Sequence, residues 1–248
     1  MPGGLWQWFY LGIGADTVVK AAGIKNKGMA TYTIAEENYL KAIYKLSNDG
    51  SVTVSTNSLA EALNTSPASI TDMLRKLAVK NIINYVKYKG VTLTEEGRKT
   101  AIQLIRRHRL WEVFLVQKLK FNWDEVHIVA EELEHVNSDL LIRRLDQYLG
   151  FPQLDPHGDP IPAEDGTMRK QEQLLLSSLS INASGVVSGL KTSQPLFLQY
   201  LDKVGIYLGA KIKVKDKIPF DNSLEVTLDN NTQVLISKEV SENILISV

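Results

Sequence analysis

The apolar positions change their period along the chain. From Thr33, Ile34, Leu40, Ile43, Tyr44 and Leu46 recur on one 3.6-residue face until Asn48-Asp49-Gly50 breaks the pattern, which predicts an amphipathic helix. A short helix is expected over 58–63, then Asn64-Thr65-Ser66, then a second helix from Pro67 to about Lys80. Ser66 is a good N-cap, and Pro67 suits the first helical position, where its missing N–H does no harm. That helix turns Ile70, Met73, Leu74 and Leu77 inward and leaves Ala68, Ser69, Thr71, Asp72, Arg75 and Lys76 outward. Residues 83–88, Lys89-Gly90 and 91–93 read as a hairpin, with Tyr85 in its core. Helix, helix–turn–helix, hairpin is the order of a winged helix–turn–helix domain.

Thr94 caps a long helix that runs to about Lys118, with Glu95 and Glu96 in a first turn where the helix dipole favours acids. Asn122 or Asp124 begins another, to about Asn137, and a third spans 139–149 before Gly150. The third is more apolar than a lone surface helix needs, which points to a helical partner. A Pro/Gly loop over 152–162 and a polar linker to about Leu175 follow. Beyond Ser178 the pattern alternates: 211–215, 224–228 and 232–236 read as half-buried strands, two of them joined by a turn at Asp229-Asn230-Asn231. Five or six short strands in about 70 residues suit a small β-barrel. The chain is therefore expected to be mainly α with a β C-terminal part: a winged helix–turn–helix domain over 30–103, a helical domain over 104–175 and a β-barrel domain over 176–248. Residues 1–29 stand apart and read as a non-native or mis-started leader, Met29 being the real beginning; a short membrane-surface anchor is the alternative.

The 248 residues carry 28 Lys+Arg against 28 Asp+Glu, but the balance is uneven. Residues 30–120 hold 14 basic and 8 acidic side chains, and residues 121–150 hold 2 and 7. A basic segment followed by an acidic, histidine-containing one suggests anion binding beside cation binding. The absence of cysteine excludes disulfides, iron–sulfur clusters, thiolate zinc sites and a cysteine nucleophile. No apolar run reaches the roughly 18 residues that span a bilayer.

The candidate chemistry lies in His127-Ile-Val-Ala-Glu-Glu-Leu-Glu-His135. On one continuous helix, His127, Glu131, Glu134 and His135 share about 100° of arc, while Glu132 falls off that face. The preceding helix offers His108 and Glu112 at i, i+4. One such pair would read as a solvated acidic face. Two sets on consecutive helices, using three of only four histidines, favour a divalent metal with nitrogen and oxygen ligands. HExxH is absent, the spacing does not suit a di-iron bundle, and there is no Gly-rich phosphate loop or nucleophile elbow, so no enzyme is expected. Around the helix–turn–helix, Ser66, Pro67, Ala68, Ser69 and Thr71 are small enough for a helix start to approach base edges. Arg75, Lys76, Lys87 and Lys89 suit phosphates, and Asp72 suits a cytosine amino group or water.

EENYLKAIYKL (36–46), SPASITDMLRKL (66–77), RRHRLWEVFL (106–115), EELEH (131–135) and PHGDPIP (156–162) together resemble the diphtheria-toxin-repressor family of metal-dependent transcriptional regulators, with a C-terminal barrel similar to ferrous-iron transport protein A. The resemblance covers residues 33–248. It implies a primary metal site of Asn38, Glu131, Glu134 and His135, with Glu37 as a further candidate. It also implies a second site of His108, Glu112 and His127, completed by Gln194 of the barrel. Position 38 is Asp or Met in relatives, and Lys41 stands where some manganese-type members carry a carboxylate. Glu131 stands where iron-type members have cysteine, and its hard oxygen favours Mn2+ over Fe2+. The implied protein is a cytoplasmic homodimeric repressor of metal-uptake genes. Metal would fix the two recognition helices for a palindromic operator in double-stranded DNA. The alternative is a winged-helix regulator whose metal is structural and senses nothing.

Overall fold

The computed structural model describes residues 32–48, 50, 52–168, 172–229 and 232–247, so the leader expected over 1–29 lies outside the described residues. Residues 33–248 form one compact unit.

Helix α1 (Ile34–Leu46) starts in a capping box: the Thr33 hydroxyl accepts from the Glu36 backbone N–H, and the Glu36 carboxylate accepts from the Thr33 N–H. Helix α2 (Thr56–Ala62) begins two residues before the expected start, because Ser55 caps it by accepting from the Ser58 N–H. Helix α3 (Pro67–Val79) is capped by Ser66 as its sequence predicts. Leu40, Ile43, Leu59, Ile70, Leu74 and Leu77 are fully buried between these helices. Strands β1 (Ile83–Val86) and β2 (Gly90–Leu93) pair antiparallel as the wing. Val54 bridges to Val91 and holds the wing to the domain. Gly90, at φ +110, permits this, since a Cβ there would lie 2.5 Å from the Val54 carbonyl oxygen.

Helix α4 (Glu95–Leu119) is a single 25-residue helix that runs unbroken through the 103/104 junction. It packs against α1 and the wing, and also against α5 (Trp123–Leu133) and α6 (Asp139–Tyr148). Helix α5 ends four residues short of the expected Asn137. Ser138 must be extended to cap α6, and the chain turns at 134–137 to reach it.

The C-terminal part is a six-stranded antiparallel sheet in the order β3-β8-β4-β5-β6-β7. Its elements are β3 (Leu174–Leu175), β4 (Ser184–Leu190), α7 (Pro195–Val204), β5 (Lys211–Lys217), β6 (Leu224–Leu228), β7 (Gln233–Ile236), α8 (Lys238–Ser241) and β8 (Ile244–Ser247). Ile212, Val214, Leu224, Val226, Ile244 and Ile246 alternate into one core, which α7 closes with Leu198 and Leu201. The alternating pattern expected after Ser178 misses α7. Its punctuation is nonetheless in the sequence, with Pro195 at the first turn and Gly205 at φ +78 past the last.

Candidate metal centre

One helical turn separates His108 from Glu112 on α4, and another separates His127 from Glu131 on the facing α5. His108 Nε2 lies 3.0 Å from Glu112 Oε1 and 3.0 Å from His127 Nδ1, and His127 Nδ1 lies 3.2 Å from the same Glu112 oxygen. Three ligand atoms about 2.2 Å from one ion and at right angles to one another would stand about 3.1 Å apart, so two imidazoles and a carboxylate here fit a divalent metal. His108 and Glu112 are buried, whereas the His127 side chain is 41% exposed. Burial alone would raise Glu112. The hydrogen bonds with His108 and His127 outweigh it and hold this carboxyl far below its usual range. His127 is pushed up to about 9 by its hydrogen bonds to Glu112 and Glu131, and Glu131 falls to about 2, chiefly through its bond with His127.

These shifts set a pH dependence for the metal-free protein. A raised histidine pKa stabilises below its ordinary 6.5, and that contribution is lost as pH rises through about 9. The lowered Glu131 contributes above its ordinary 4.5 and loses its effect as pH falls through about 2. Because solvent screens the exposed His127 ring, the expected loss between pH 6.5 and 9 is on the order of 1 kcal/mol. Thermal unfolding in EDTA at pH 6 and 9 measures it; a His127→Gln variant with the same pH loss would refute the assignment.

Two further residues join this centre that sequence reasoning missed. The loop 155–159 lies across α4, and in it Asp155 Oδ1 accepts from the backbone N–H groups of His157 (2.8 Å) and Asp159 (2.9 Å). Arg109 grips the loop through Asp155, Asp159 and the Pro160 carbonyl, and Arg106 donates to the Pro162 carbonyl. His157 is thereby buried with Nδ1 3.8 Å from Glu112 Oε1, while its Nε2 has no hydrogen-bond partner among the described residues. Glu112, Asp155 and His157 offer ligand atoms within 4.8 Å of one another. Burial first, and then the charges of Glu112 and Asp159, push Asp155 well above its ordinary pKa. A cavity of about 160 Å³ opens here, reaching Lys191, Thr192 and Ser193. The PHGDPIP run was visible as a motif, but no short-range spacing ties His157 to Glu112, 45 residues away.

The other expected set converges in part. Glu134, the C-cap of α5, keeps helical backbone angles and faces His108 and Lys41 beside Glu131, while His135 lies in the turn that follows. His135 Nδ1 turns to Glu37 Oε2 at 2.6 Å, and Arg107 donates to the other Glu37 oxygen at 2.9 Å. Asn38 is exposed on α1. The Glu131 and Glu134 carboxylates converge on Lys41 Nζ, at 3.4 and 2.6 Å. Burial would raise Glu134, but His108 and Lys41 reverse this and hold it low. Among the described residues Glu134 Oε1 is buried without a hydrogen-bond partner, 3.8 Å from His135 Nε2, whereas Asn38 faces water and Glu131 is paired with Lys41 and His127. Gln194 is exposed at the N-cap of α7, and His157 of the 155–159 loop lies beside Glu112.

The expected DNA-facing residues form one exposed surface. Ser66, Pro67, Ala68, Ser69, Asp72, Arg75 and Lys76 are exposed on α3, and Lys87 and Lys89 flank Tyr88 at the wing tip. Thr71 is half-buried, and its hydroxyl donates to the Pro67 carbonyl. Arg75 pairs with Asp72 at 3.1 Å, so this arginine is already partly neutralised.

Three family models match consecutive stretches: "Iron dependent repressor, N-terminal DNA binding domain" over residues 32–91, "Iron dependent repressor, metal binding and dimerisation domain" over 94–163, and "FeoA domain" over 174–248. The iron-dependent repressor IdeR of Mycobacterium tuberculosis is 36% identical over 126 residues, 51% of this chain and 54% of that protein; the chain thus spans about half of that curated relative. A probable metal transport system membrane protein of Chlamydia trachomatis is 51% identical over 71 residues, 29% of this chain and 16% of that protein. A solved structure of a manganese-dependent transcriptional repressor in complex with manganese superposes with a TM-score of 0.72 at 36% identity, covering 85% of this chain and 98% of that one. With this match over nearly the whole length of that repressor, and the two repressor models following one another at 91/94 just before α4, the chain belongs to the iron-dependent repressor family.

Proposed function

We propose that this protein is a metal-dependent, DNA-binding transcriptional repressor of metal-uptake genes, working as a cytoplasmic homodimer on a palindromic operator, with Mn2+ favoured over Fe2+. The observation that carries the reading is the triangle of His108 Nε2, His127 Nδ1 and Glu112 Oε1, built on the same α4 that packs against the winged domain. His108, Glu112 and His127 would hold the ion, with His157 and Asp155 beside them. The metal would supply positive charge that draws α4, α5 and the 155–159 loop together; it takes part in no reaction. Metal can promote DNA binding only as far as it favours the arrangement DNA needs, and DNA must then tighten metal by the same factor. Leu140, Leu141 and Tyr148 leave an apolar face exposed on α6, which supports a dimer seam.

Genomic DNA captured by the purified protein in Mn2+, in anaerobic Fe2+ and in EDTA tests the reading. Enrichment of a palindromic site only with metal is expected. Equal enrichment in EDTA would turn the assignment to a regulator with a structural metal. Within this reading, replacing Lys87 and Lys89 together by alanine should weaken DNA binding at least about tenfold and lower the salt slope by about 2 per protomer, with metal affinity intact. An unchanged salt slope in binding titrations at 50 to 200 mM salt would remove the wing from the interface.

A further inference from the structure

We propose that Lys41 is a tethered cation that takes the place of a divalent ion at the junction of α1 with α5, so that this junction closes without metal and metal control is confined to the His108–Glu112–His127 centre. The proposal rests on the metal-dependent reading above.

The Lys41 side chain is 7% exposed. Its ammonium lies 2.6 Å from Glu134 Oε2, 3.4 Å from Glu131 Oε1 and 3.4 Å from His108 Nδ1. An ammonium is a compact charge with three donors; here carboxylate oxygens from α5 and its C-cap accept from it, and His108 Nδ1 donates to the same Glu134 oxygen from 2.5 Å. Glu134 is 1% exposed, so its charge must be met by a cation inside the protein. Lys41 meets it.

The rest of the junction is balanced in the same way. Glu37 is shared by Arg107 and His135, and Glu36 takes Lys80 at 2.6 Å. A divalent ion among Glu131, Glu134 and His135 would therefore have to displace the Lys41 ammonium, leaving a buried unpaired charge, or share its carboxylates at close range with a like charge. Either is unfavourable in a low-dielectric interior. Lys41 is on the helix that supports the winged domain, and its carboxylate partners lie 90 and 93 residues further along, so the ion pairs join the two regions a metal would otherwise bridge.

The test counts bound Mn2+ per chain by equilibrium dialysis of the full chain followed by elemental analysis. The expected result is one ion per wild-type chain, unchanged by Glu131→Gln and lost in Glu112→Gln. Lys41→Met removes the ammonium while keeping the apolar stem, and it should take up a second ion. If Lys41→Met does not fold, Lys41→Gln, which keeps a polar group at the site, serves for the same count. Two ions per wild-type chain, with one lost in Glu131→Gln, would overturn the proposal and leave the repressor reading standing. No ion in the wild type but one in Lys41→Met would uphold Lys41 and overturn the metal-dependent reading.

Discussion

Glu112→Gln is expected to abolish metal binding at the His108–His127 centre, lowering affinity at least 100-fold, and with it the metal-dependent part of DNA binding. The substitution preserves shape and removes only charge and one strong acceptor. That acceptor is the single oxygen that lies within 3.2 Å of both imidazoles, in a side chain 2% exposed. Loss of an outer-shell partner typically costs 10- to 100-fold in metal affinity, and loss of a carboxylate inside the ligand triangle should exceed that. His127 would also lose the charged partner in one of the two bonds that hold its proton, Glu131 keeping the other, so the pH dependence of the metal-free protein should diminish in the same variant. Calorimetric titration with Mn2+, beside circular dichroism to show a folded chain, measures both. Wild-type affinity in a folded Glu112→Gln protein would remove the centre from consideration.

Gly158→Ala is the second large effect. Gly158 has φ +86, and a Cβ there would lie 2.1 Å from the Ser188 carbonyl oxygen and 2.3 Å from Gly189 Cα, both rigid backbone atoms of β4. The loop and the strand are stitched at this place, since the Leu190 N–H donates to the His157 carbonyl at 3.0 Å. Adding a methyl group must push the 155–159 loop off the strand. The expected destabilisation is about 2–4 kcal/mol, from a left-handed backbone and an overpacked contact together. Because His157 belongs to the same loop, metal affinity should fall with stability. Denaturant unfolding with and without Mn2+ separates the two effects; a stable variant with a normal metal response would show that the loop does not position the centre.

What could be read in the sequence follows the range over which each signal acts. Caps, helix periods and the wing are set by neighbours within four residues, and Thr33, Ser66 and Thr94 cap the helices their spacing predicts. The His108/Glu112 and His127/Glu131 pairs were legible for the same reason: a helix places i and i+4 on one face whatever surrounds it. The helix face that added Glu134 and His135 extends to Glu134, the α5 C-cap, and a turn follows at His135, whose ring meets Glu37.

By itself, then, the sequence determined the order of elements up to the C-terminal sheet, the exposed polar surface of the winged domain and the two helices that carry the His/Glu pairs, because these depend on local spacing and on which residues can be buried. Only the tertiary structure decided which charges meet. Lys41 finds Glu134 across 93 residues, Glu37 rather than Asn38 turns inward to Arg107 and His135, and Arg106 and Arg109 bring His157 against Glu112. Charge pairing is selective only where water is excluded, and which groups lose their water is settled when distant helices close on one another.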